Sequence, residues 1–149
     1  MKKYDSHQYL INRLSKNGQR YLFYTVSEAL KRDLPVELSL IPFVESQFDP
    51  YAQSSTGASG IWQFIPSTAL ENGLKKNWWY DARRDIVAST NAAYNFLVKL
   101  NEEHDDWLIA IAAYNAGPSR VRKEIRKNKE QGLPTDFWSL NLPKETRAY

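Results

Sequence analysis

A single glutamate is placed where acid–base chemistry is possible. Glu45 follows the apolar run Leu40-Ile41-Pro42-Phe43-Val44, and a carboxyl group among such neighbours loses hydration, which raises its pKa. We also expect Glu45 near the carboxyl end of a helix, where the helix dipole disfavours a negative charge. Both effects favour the protonated form that a general acid needs to protonate a glycosidic oxygen. A glutamate at a helix end is also typical of a solvated or salt-bridged surface residue, so Glu45 alone leaves both interpretations open.

Other kinds of catalytic residue are scarce. The chain has no cysteine, and its two histidines, His7 and His104, lie far apart in sequence. A thiolate nucleophile is excluded, and a histidine-based metal site or a Ser-His-Asp triad is disfavoured. Asp49 is the acidic residue that follows Glu45, but an Asp-Pro step after a helix favours a turn over a nucleophile. We therefore expect no metal and no cofactor.

Composition predicts one globular domain. The 149 residues suffice for a single core. Five Trp and nine Tyr suit a groove that stacks on sugar rings, although the same residues could simply belong to the core. The net charge of +3 is mild, and the densest basic run, residues 120–129, is interrupted by Glu124. This run indicates a solvated helix face, so we expect no nucleic-acid partner.

The first residues of the sequence are polar. No run of about 18 apolar residues occurs, and Met1 to Ser6 lack the apolar centre of a signal peptide. Either the protein is cytosolic or a targeting segment is missing. We expect residues 1–149 to be one domain excised from a longer chain.

Helical periodicity recurs along the chain, and strand patterns are scarce. The patterns predict helices at residues 21–32, 35–45, 66–73, 85–101, 107–114, 119–132 and from 143 onward. Pro42 should kink the second helix or shorten its last turn, and Ser119 is a candidate N-cap. Two loops separate these helices, a glycine- and hydroxyl-rich one at 49–60 and an aromatic one at 77–84. The fold class is therefore mostly α, with little or no sheet.

Four ordered motifs surround these elements. They are Glu45-Ser46 with Ser54 nine positions after the glutamate, residues 57–68 (GASGIWQFIPST), residues 112–117 (AAYNAG) and residues 145–149 (ETRAY). Together they resemble the catalytic domain of the soluble-lytic-transglycosylase superfamily (glycoside hydrolase family 23 type), and residues 34–38 and 80–90 look most like its membrane-bound type D branch. The resemblance covers roughly residues 21–149 and implies a lysozyme-like helical fold of the goose-type and lytic transglycosylase kind.

The resemblance implies roles for seven residues. Glu45 matches the catalytic glutamate of the family. Ser54 matches a serine near that glutamate and near the muramic acid ring, and Gln63 matches a groove residue that contacts the substrate. Four further positions match residues that line the catalytic centre or belong to the late motif: Tyr114, Asn115, Glu145 and Tyr149. Their alternative roles are structural, and Gly57 and Gly60 mainly serve backbone turns.

The sequence departs from the family pattern at a few positions. Trp62 stands where many members have Met or Leu, and Asp85 and Ser89 stand where many have Asn and Gly. These positions look structural, and Trp62 is itself a candidate core residue. The departures therefore leave the expected chemistry intact.

The resemblance also implies an activity. It is cleavage of the β-1,4 bond between N-acetylmuramic acid and N-acetylglucosamine of peptidoglycan, without water and with a 1,6-anhydro product. The matched groove positions near Glu45 are neutral, which agrees with a single carboxylate. The implied partner is the peptidoglycan glycan strand, with no further partner needed, so we expect a monomer. The implied location is the periplasm, with an outer-membrane anchor in the full-length chain.

Three other functions fit parts of the pattern. A goose-type lysozyme would share the fold and hydrolyse the same bond. A non-catalytic glycan-binding module would bind sugar without turnover. A helical protein-interaction domain would leave the loop at residues 54–66 beside Glu45 without a purpose.

Overall fold

The computed structural model describes residues 18–149 and confirms the helical prediction. Within this range no strand forms, and only isolated bridge pairs occur, such as Gln53 with Ser59 and Ser59 with Phe64. His7 lies outside the described residues. We label the α-helices in chain order: α1 Gln19–Lys31, α2 Ile41–Ser46, α3 Pro66–Glu71, α4 Ile86–His104, α5 Trp107–Ala116, α6 Pro118–Glu130 and α7 Lys144–Arg147. Two short 3-10 helices, Val36–Leu40 and Phe137–Ser139, lie between them.

The described chain forms two compact units. The first unit ends at Tyr94, and the second unit comprises Asn95–Tyr149, so their boundary falls inside α4. No helix among residues 18–149 is both long and apolar enough to cross a membrane.

Helix α1 faces the core through two small residues. Thr25 and Ala29 are its buried residues, and the backbone carbonyl of Thr25 accepts a 2.7 Å hydrogen bond from the hydroxyl of buried Tyr94. Leu30, which follows Ala29 in sequence, is 62% exposed. Because successive helical residues are about 100° apart, a face centred on positions 25 and 29 turns Leu30 toward solvent.

The predicted helix at residues 35–45 is two separate elements. Its first half is the 3-10 helix Val36–Leu40, and its second half is α2. Pro42 lies in the first turn of α2, where a missing backbone N–H removes no helical hydrogen bond. The proline therefore marks the start of a new helix instead of kinking a continuous one.

Helix α2 ends in a left-handed turn built without glycine. Gln47 and Phe48 have φ values of 54° and 57°. The N–H of Phe48 donates to the carbonyl of Pro42 at 3.2 Å, and the N–H of Gln47 donates to that of Phe43 at 3.0 Å. Each bond spans one residue more than its counterpart in a Schellman motif, because two consecutive left-handed residues close this helix end. Its geometry fixes the point at which the chain leaves α2, immediately after Glu45 and Ser46.

The core of the second unit lies around α5. The carboxylate of Asp106 caps this helix by accepting hydrogen bonds from the N–H groups of Leu108 and Ile109, at 2.7 and 3.3 Å. Buried side chains of α5 pack with residues of the neighbouring elements in one cluster: Leu100, Ile109, Ala110, Ala112, Ala113, Val121, Phe137, Leu140 and Leu142. The helix predicted at residues 107–114 therefore forms and is mainly buried.

The prediction for the start of α6 is wrong. Ser119 does not cap the helix, because α6 already begins at Pro118, with Gly117 as its N-cap residue. Gly117 has φ 93°, a conformation that suits glycine, and Pro118 occupies the first turn as prolines often do. Basic residues of this helix, such as Arg122 and Lys129, are exposed, which confirms the predicted solvated face.

Candidate functional site

Glu45 lies in the last turn of α2 and is half-buried. Ile41 and Pro42, which precede it, are buried, whereas Phe43 and Val44 are exposed. The apolar run therefore does not enclose the carboxyl group by itself. What positions Glu45 is the end of α2 and its attachment to the loop that follows.

Ser46 provides that attachment. Its hydroxyl lies 3.0 Å from the carbonyl oxygen of Pro42 and 2.9 Å from that of Ile61. The first contact is within α2, and the second links the helix end to the loop at residues 52–64, which we call the glycine loop. Ser46 thus holds the backbone next to Glu45 against the glycine loop.

Ser54 closes a tight turn in the glycine loop. Its hydroxyl accepts a hydrogen bond from the N–H of Ala58 at 3.0 Å and lies 2.8 Å from the Thr56 hydroxyl. Its backbone N–H donates to the carbonyl of Ala58 at 3.0 Å. Ser54 is half-buried, so its hydroxyl has a structural task in addition to any contact with a substrate.

Gln63 is held in a fixed orientation. Its backbone φ is 51°, and its side-chain Nε2 donates to the carbonyl oxygens of Ala52 at 3.2 Å and Gly60 at 2.8 Å. Because both neighbours are acceptors, the amide nitrogen and not its oxygen must face them. Among residues 18–149 nothing donates to its Oε1, which leaves that atom as an acceptor for a bound molecule.

Arg83 holds the glycine loop from behind. This side chain is buried, and its Nη1 donates to the carbonyl oxygens of Gly57 at 2.7 Å and Phe64 at 3.2 Å. Its Nη2 forms a 2.7 Å ion pair with Asp81. The hydrogen bonds from Arg83 lower the pKa of the Asp81 carboxyl below its ordinary value, against the opposing effect of its burial. The buried guanidinium is therefore paired and hydrogen-bonded, as a buried charge must be.

Gly60 is required by a close approach of two backbones. Its φ is 83°, and a Cβ atom at this position would lie 1.8 Å from the carbonyl oxygen of Arg83. No side chain fits there without moving the backbone of Arg83. The expectation that this glycine serves the backbone is confirmed.

Trp62 is a core residue, as its alternative interpretation predicted. It is fully buried, and its indole N–H donates to the hydroxyl of Thr90 at 3.0 Å. Its ring meets that of Tyr94 edge-on, with centroids 5.2 Å apart. The residue supports the glycine loop from inside the first unit.

Asp49 builds a turn. Its Oδ1 accepts a hydrogen bond from the backbone N–H of Tyr51 at 2.9 Å, which is the side-chain pattern of an Asx turn. This geometry agrees with the turn interpretation drawn from the Asp-Pro step. The carboxylate nearest to Glu45 in sequence is thus engaged in local structure.

The remaining four predicted site residues belong to the second unit. Asn115, in the last turn of α5, accepts a 2.7 Å hydrogen bond on its Oδ1 from the hydroxyl of Thr146 in α7. Tyr114 is half-buried, with its ring centroid 5.8 Å from that of Phe96. Glu145 is exposed in the first turn of α7, and Tyr149 is half-buried. The structure thus brings the AAYNAG and ETRAY motifs together within this unit.

Three further residues, all in segments that carry the family resemblance, have structural roles that the sequence did not suggest. Ser46, Arg83 and Thr146 all make side-chain hydrogen bonds to residues far along the chain. Each occurs inside a segment quoted for the family resemblance, and that was the available signal. Their partners are mostly backbone carbonyls, which no residue pattern reveals.

The fold and these motifs agree with known proteins. The X-ray structure of an inactive mutant of lytic transglycosylase Slt from Pseudomonas aeruginosa superposes with a TM-score of 0.55 and 28% identity, covering 68% of this chain and 17% of that one. The fold is accordingly of the lysozyme-like class found in lytic transglycosylases. Residues 25–136 match the family model described as the transglycosylase SLT domain. The chain belongs to this family.

Two relatives extend the comparison. The chain is 49% identical over 148 residues to membrane-bound lytic murein transglycosylase D of Escherichia coli K12, covering 99% of this chain and 33% of that protein. It is 32% identical over 108 residues to membrane-bound lytic murein transglycosylase F of Desulfosudis oleivorans, covering 68% and 22%. The expected likeness to the type D branch is confirmed. The chain spans a third or less of the length of these relatives.

Proposed function

We propose that this chain is the catalytic part of a peptidoglycan lytic transglycosylase. The observation that carries the proposal is the position of Glu45, in the last turn of α2, next to the serine that fixes this helix end to the glycine loop. The names of the relatives, which are murein transglycosylases, support the same substrate. We place the full-length protein in the cell envelope, in the periplasm, and propose an outer-membrane anchor outside this domain.

In this mechanism Glu45 acts first as an acid and then as a base. Its protonated carboxyl donates a proton to the oxygen of the β-1,4 bond between N-acetylmuramic acid and N-acetylglucosamine, and the C1–O bond breaks. The 2-acetamido group of the muramic acid stabilises the cationic C1. The 6-hydroxyl of the same sugar then bonds to C1, and its proton passes to the Glu45 carboxylate. The products are a 1,6-anhydromuramic end and a free 4-hydroxyl, and no water is consumed.

A single carboxylate is consistent with the neighbourhood of Glu45. Ordinary glycosidases use two carboxyl groups, about 5–9.5 Å apart depending on the mechanism. Asp49 is occupied in its turn, and the other matched residues of the first unit, Ser54 and Gln63, are neutral. Neutral groups position a sugar but do not activate water as a base does.

We assign the substrate contacts in two groups. Ser54 and Gln63 are proposed to contact the sugar, because both lie in the glycine loop that Ser46 ties to the catalytic helix. For the second unit the support is the resemblance of the motifs, together with the bond between Asn115 and Thr146. On that basis we assign substrate contacts to Tyr114, Asn115, Glu145 and Tyr149.

The assignment of Glu45 is tested by a single-atom change. Glu45→Gln should retain the fold and lose release of soluble fragments from purified peptidoglycan, because an amide cannot supply the proton. Glu71→Gln is the matched control, since Glu71 is an exposed glutamate at the end of the short helix α3. Peptidoglycan release at the wild-type rate by Glu45→Gln would disprove the assignment.

The products identify the reaction type. Mass spectrometry of the muropeptides released by the wild-type protein should show 1,6-anhydro ends. Reducing ends in their place would indicate a hydrolase of the goose-type lysozyme kind. Binding to peptidoglycan without any release would indicate a glycan-binding module.

A further inference from the structure

Two adjacent tryptophans project from the first unit without burial. Trp78 and Trp79 are 89% and 90% exposed. They line a cleft of about 540 Å³ together with Tyr51 and Tyr80, which are also exposed. Exposed large aromatic side chains in one patch indicate an interaction site, because leaving them in water is unfavourable.

The turn that carries the tryptophans is fixed. The side-chain oxygen of Asn77 accepts hydrogen bonds from the N–H groups of Trp79 and Tyr80, at 2.9 and 2.8 Å. The N–H of Asn77 donates to the carbonyl of Tyr80 at 2.8 Å, and the Tyr80 hydroxyl donates to Asp85 at 2.9 Å. The two indoles are therefore held on a preformed support, which lowers the entropic cost of binding.

The charged groups of the cleft are of both signs. Asp81 is paired with the buried Arg83, and Asp85 accepts hydrogen bonds from Tyr80 and from the backbone N–H of Ala88. The cationic groups Lys76 and Arg84 also line the cleft. The Nζ of Lys76 lies 4.0 Å from Asp81, but this side chain is 67% exposed. Arg84 is exposed as well, and its Nε donates to the hydroxyl of Ser59 at 3.1 Å. An incoming carboxylate would therefore meet cationic donors beside the aromatic surface.

We propose that this cleft is an accessory binding subsite for a peptidoglycan strand, distinct from the catalytic residues. N-acetylated sugar rings pack on Trp78 and Trp79, because the apolar face of a sugar complements an indole face. A carboxylate of the peptide stem pairs with Lys76 and Arg84. The identity of the polymer rests on the proposed function, while the site itself rests on the exposed aromatic cleft.

The position of the cleft fits a strand that also reaches the glycine loop. Pro50 and Tyr51 line it, and Tyr51 lies three residues before Ser54 in the same loop region. Glu45, Ser54 and Gln63 are not among its lining residues.

Sacculus binding tests the subsite in a background without turnover. In Glu45→Gln protein, Trp78→Ala and Trp79→Ala should each weaken pelleting with purified sacculi by about fivefold, and the double substitution by more than about tenfold. Trp138→Ala is the matched control, because Trp138 is 77% exposed, packs edge-on against Phe137 and lies outside the cleft. Circular dichroism and thermal melts should be the same for all variants, since the replaced side chains are exposed.

A second measurement tests the carboxylate contact. Lys76→Gln with Arg84→Gln should weaken binding of a disaccharide-tetrapeptide severalfold and leave binding of an N-acetylglucosamine oligomer unchanged. Equal losses for both ligands would overturn the assignment of the peptide stem to these cations.

Three results separate this proposal from its rivals. Unchanged sacculus binding by the double tryptophan variant overturns the subsite. If the double tryptophan variant loses binding to phosphatidylglycerol vesicles and keeps its sacculus binding, the cleft binds a membrane surface and the subsite is overturned. If the wild-type protein releases no fragments while sacculus binding still depends on both tryptophans, the proposed function fails and the subsite stands.

Discussion

At the scale of single residues, Ser46 decides how Glu45 is presented. Its hydroxyl contacts both the carbonyl of Pro42 within α2 and that of Ile61 in the glycine loop. Without it, the loop would lose this side-chain hydrogen bond to the helix end beside the proposed acid. A misplacement of about 1 Å at a catalytic group can lower a rate about a hundredfold, so Ser46 is a positioning residue.

We expect Ser46→Ala to lower kcat at least about tenfold with little change in KM, and to lower the free energy of unfolding by about 1 kcal/mol. The matched control is Ser27→Ala, because the Ser27 hydroxyl bonds only to the carbonyl of Phe23 in its own helix, at 2.7 Å. Peptidoglycan turnover and urea unfolding measure the two effects. Full kcat in Ser46→Ala, despite the same loss of stability, would contradict the positioning role.

The sequence named the residues of the candidate site, and their roles stay a prediction. Glu45, Ser54 and Gln63 were named from the resemblance to the family, and the structure places them at a helix end and in the loop tied to it. The bonds that hold them could not be predicted, because the partners of Ser46 and Gln63 are backbone carbonyls. Every residue carries such a carbonyl, so no sequence pattern marks the ones that are used.

At the scale of elements, the glycine loop is ordered without being helix or strand. It is held by its own turns and by Arg83, which bonds to the carbonyls of Gly57 and Phe64. Its most crowded point is the contact between Gly60 and the backbone of Arg83. The loop and the 81–84 segment therefore depend on each other.

Two glycines allow this dependence to be measured. Gly60 and Gly73 have φ values of 83° and 78°, but a Cβ atom at Gly73 would meet nothing within 4 Å. Gly73→Ala should cost about 1–2 kcal/mol from the left-handed conformation alone, and Gly60→Ala should cost at least about 2 kcal/mol more because of the clash. Chemical denaturation gives both values, and equal costs would contradict the close approach.

The existence of the helices could be predicted from the sequence, but the residues at which they begin and end could not. The periodicity of α4 and α5 is long or strongly apolar, and both helices form where predicted, although α4 continues to His104. The predictions failed at prolines. Pro42 and Pro118 each start a helix, since a residue without an N–H is best placed in the first turn.

At the scale of the whole molecule, both units are stabilised by ionised carboxylates. Hydrogen bonds or ion pairs lower the pKa of carboxyl groups in each unit, including Asp81 through Arg83 and Glu103 through Arg122. A carboxyl group whose pKa is lower in the folded chain than in the unfolded chain stabilises the fold when ionised. Its contribution is complete above the ordinary value, 3.8 for Asp and 4.5 for Glu, and is lost as the pH falls through the lowered value.

We therefore expect the free energy of unfolding to decrease once the pH is lower than about 4. Asp81→Asn should be less stable than the wild type at pH 7, because it loses the ion pair with Arg83. The difference should narrow as the pH falls through the lowered pKa of Asp81, where the wild-type carboxyl becomes protonated too. Urea unfolding over a series of pH values from 7 downward measures this. Asp33→Asn, at an exposed turn, is the control for the substitution. A difference in the free energy of unfolding between the wild type and Asp81→Asn that stays constant with pH would contradict the stabilising role of the ionised Asp81.

The contacts of Arg83 determine which segments would have to be moved together to transfer this site to another protein. The glycine loop and the arginine that supports it are separated by about twenty residues of chain, with α3 and part of the aromatic turn between them. A peptide copied from residues 45–64 would carry the motif but not its support, and a graft of this segment onto another scaffold would have to bring Arg83 and Asp81 as well. The smallest transplantable unit of this site is thus discontinuous in sequence.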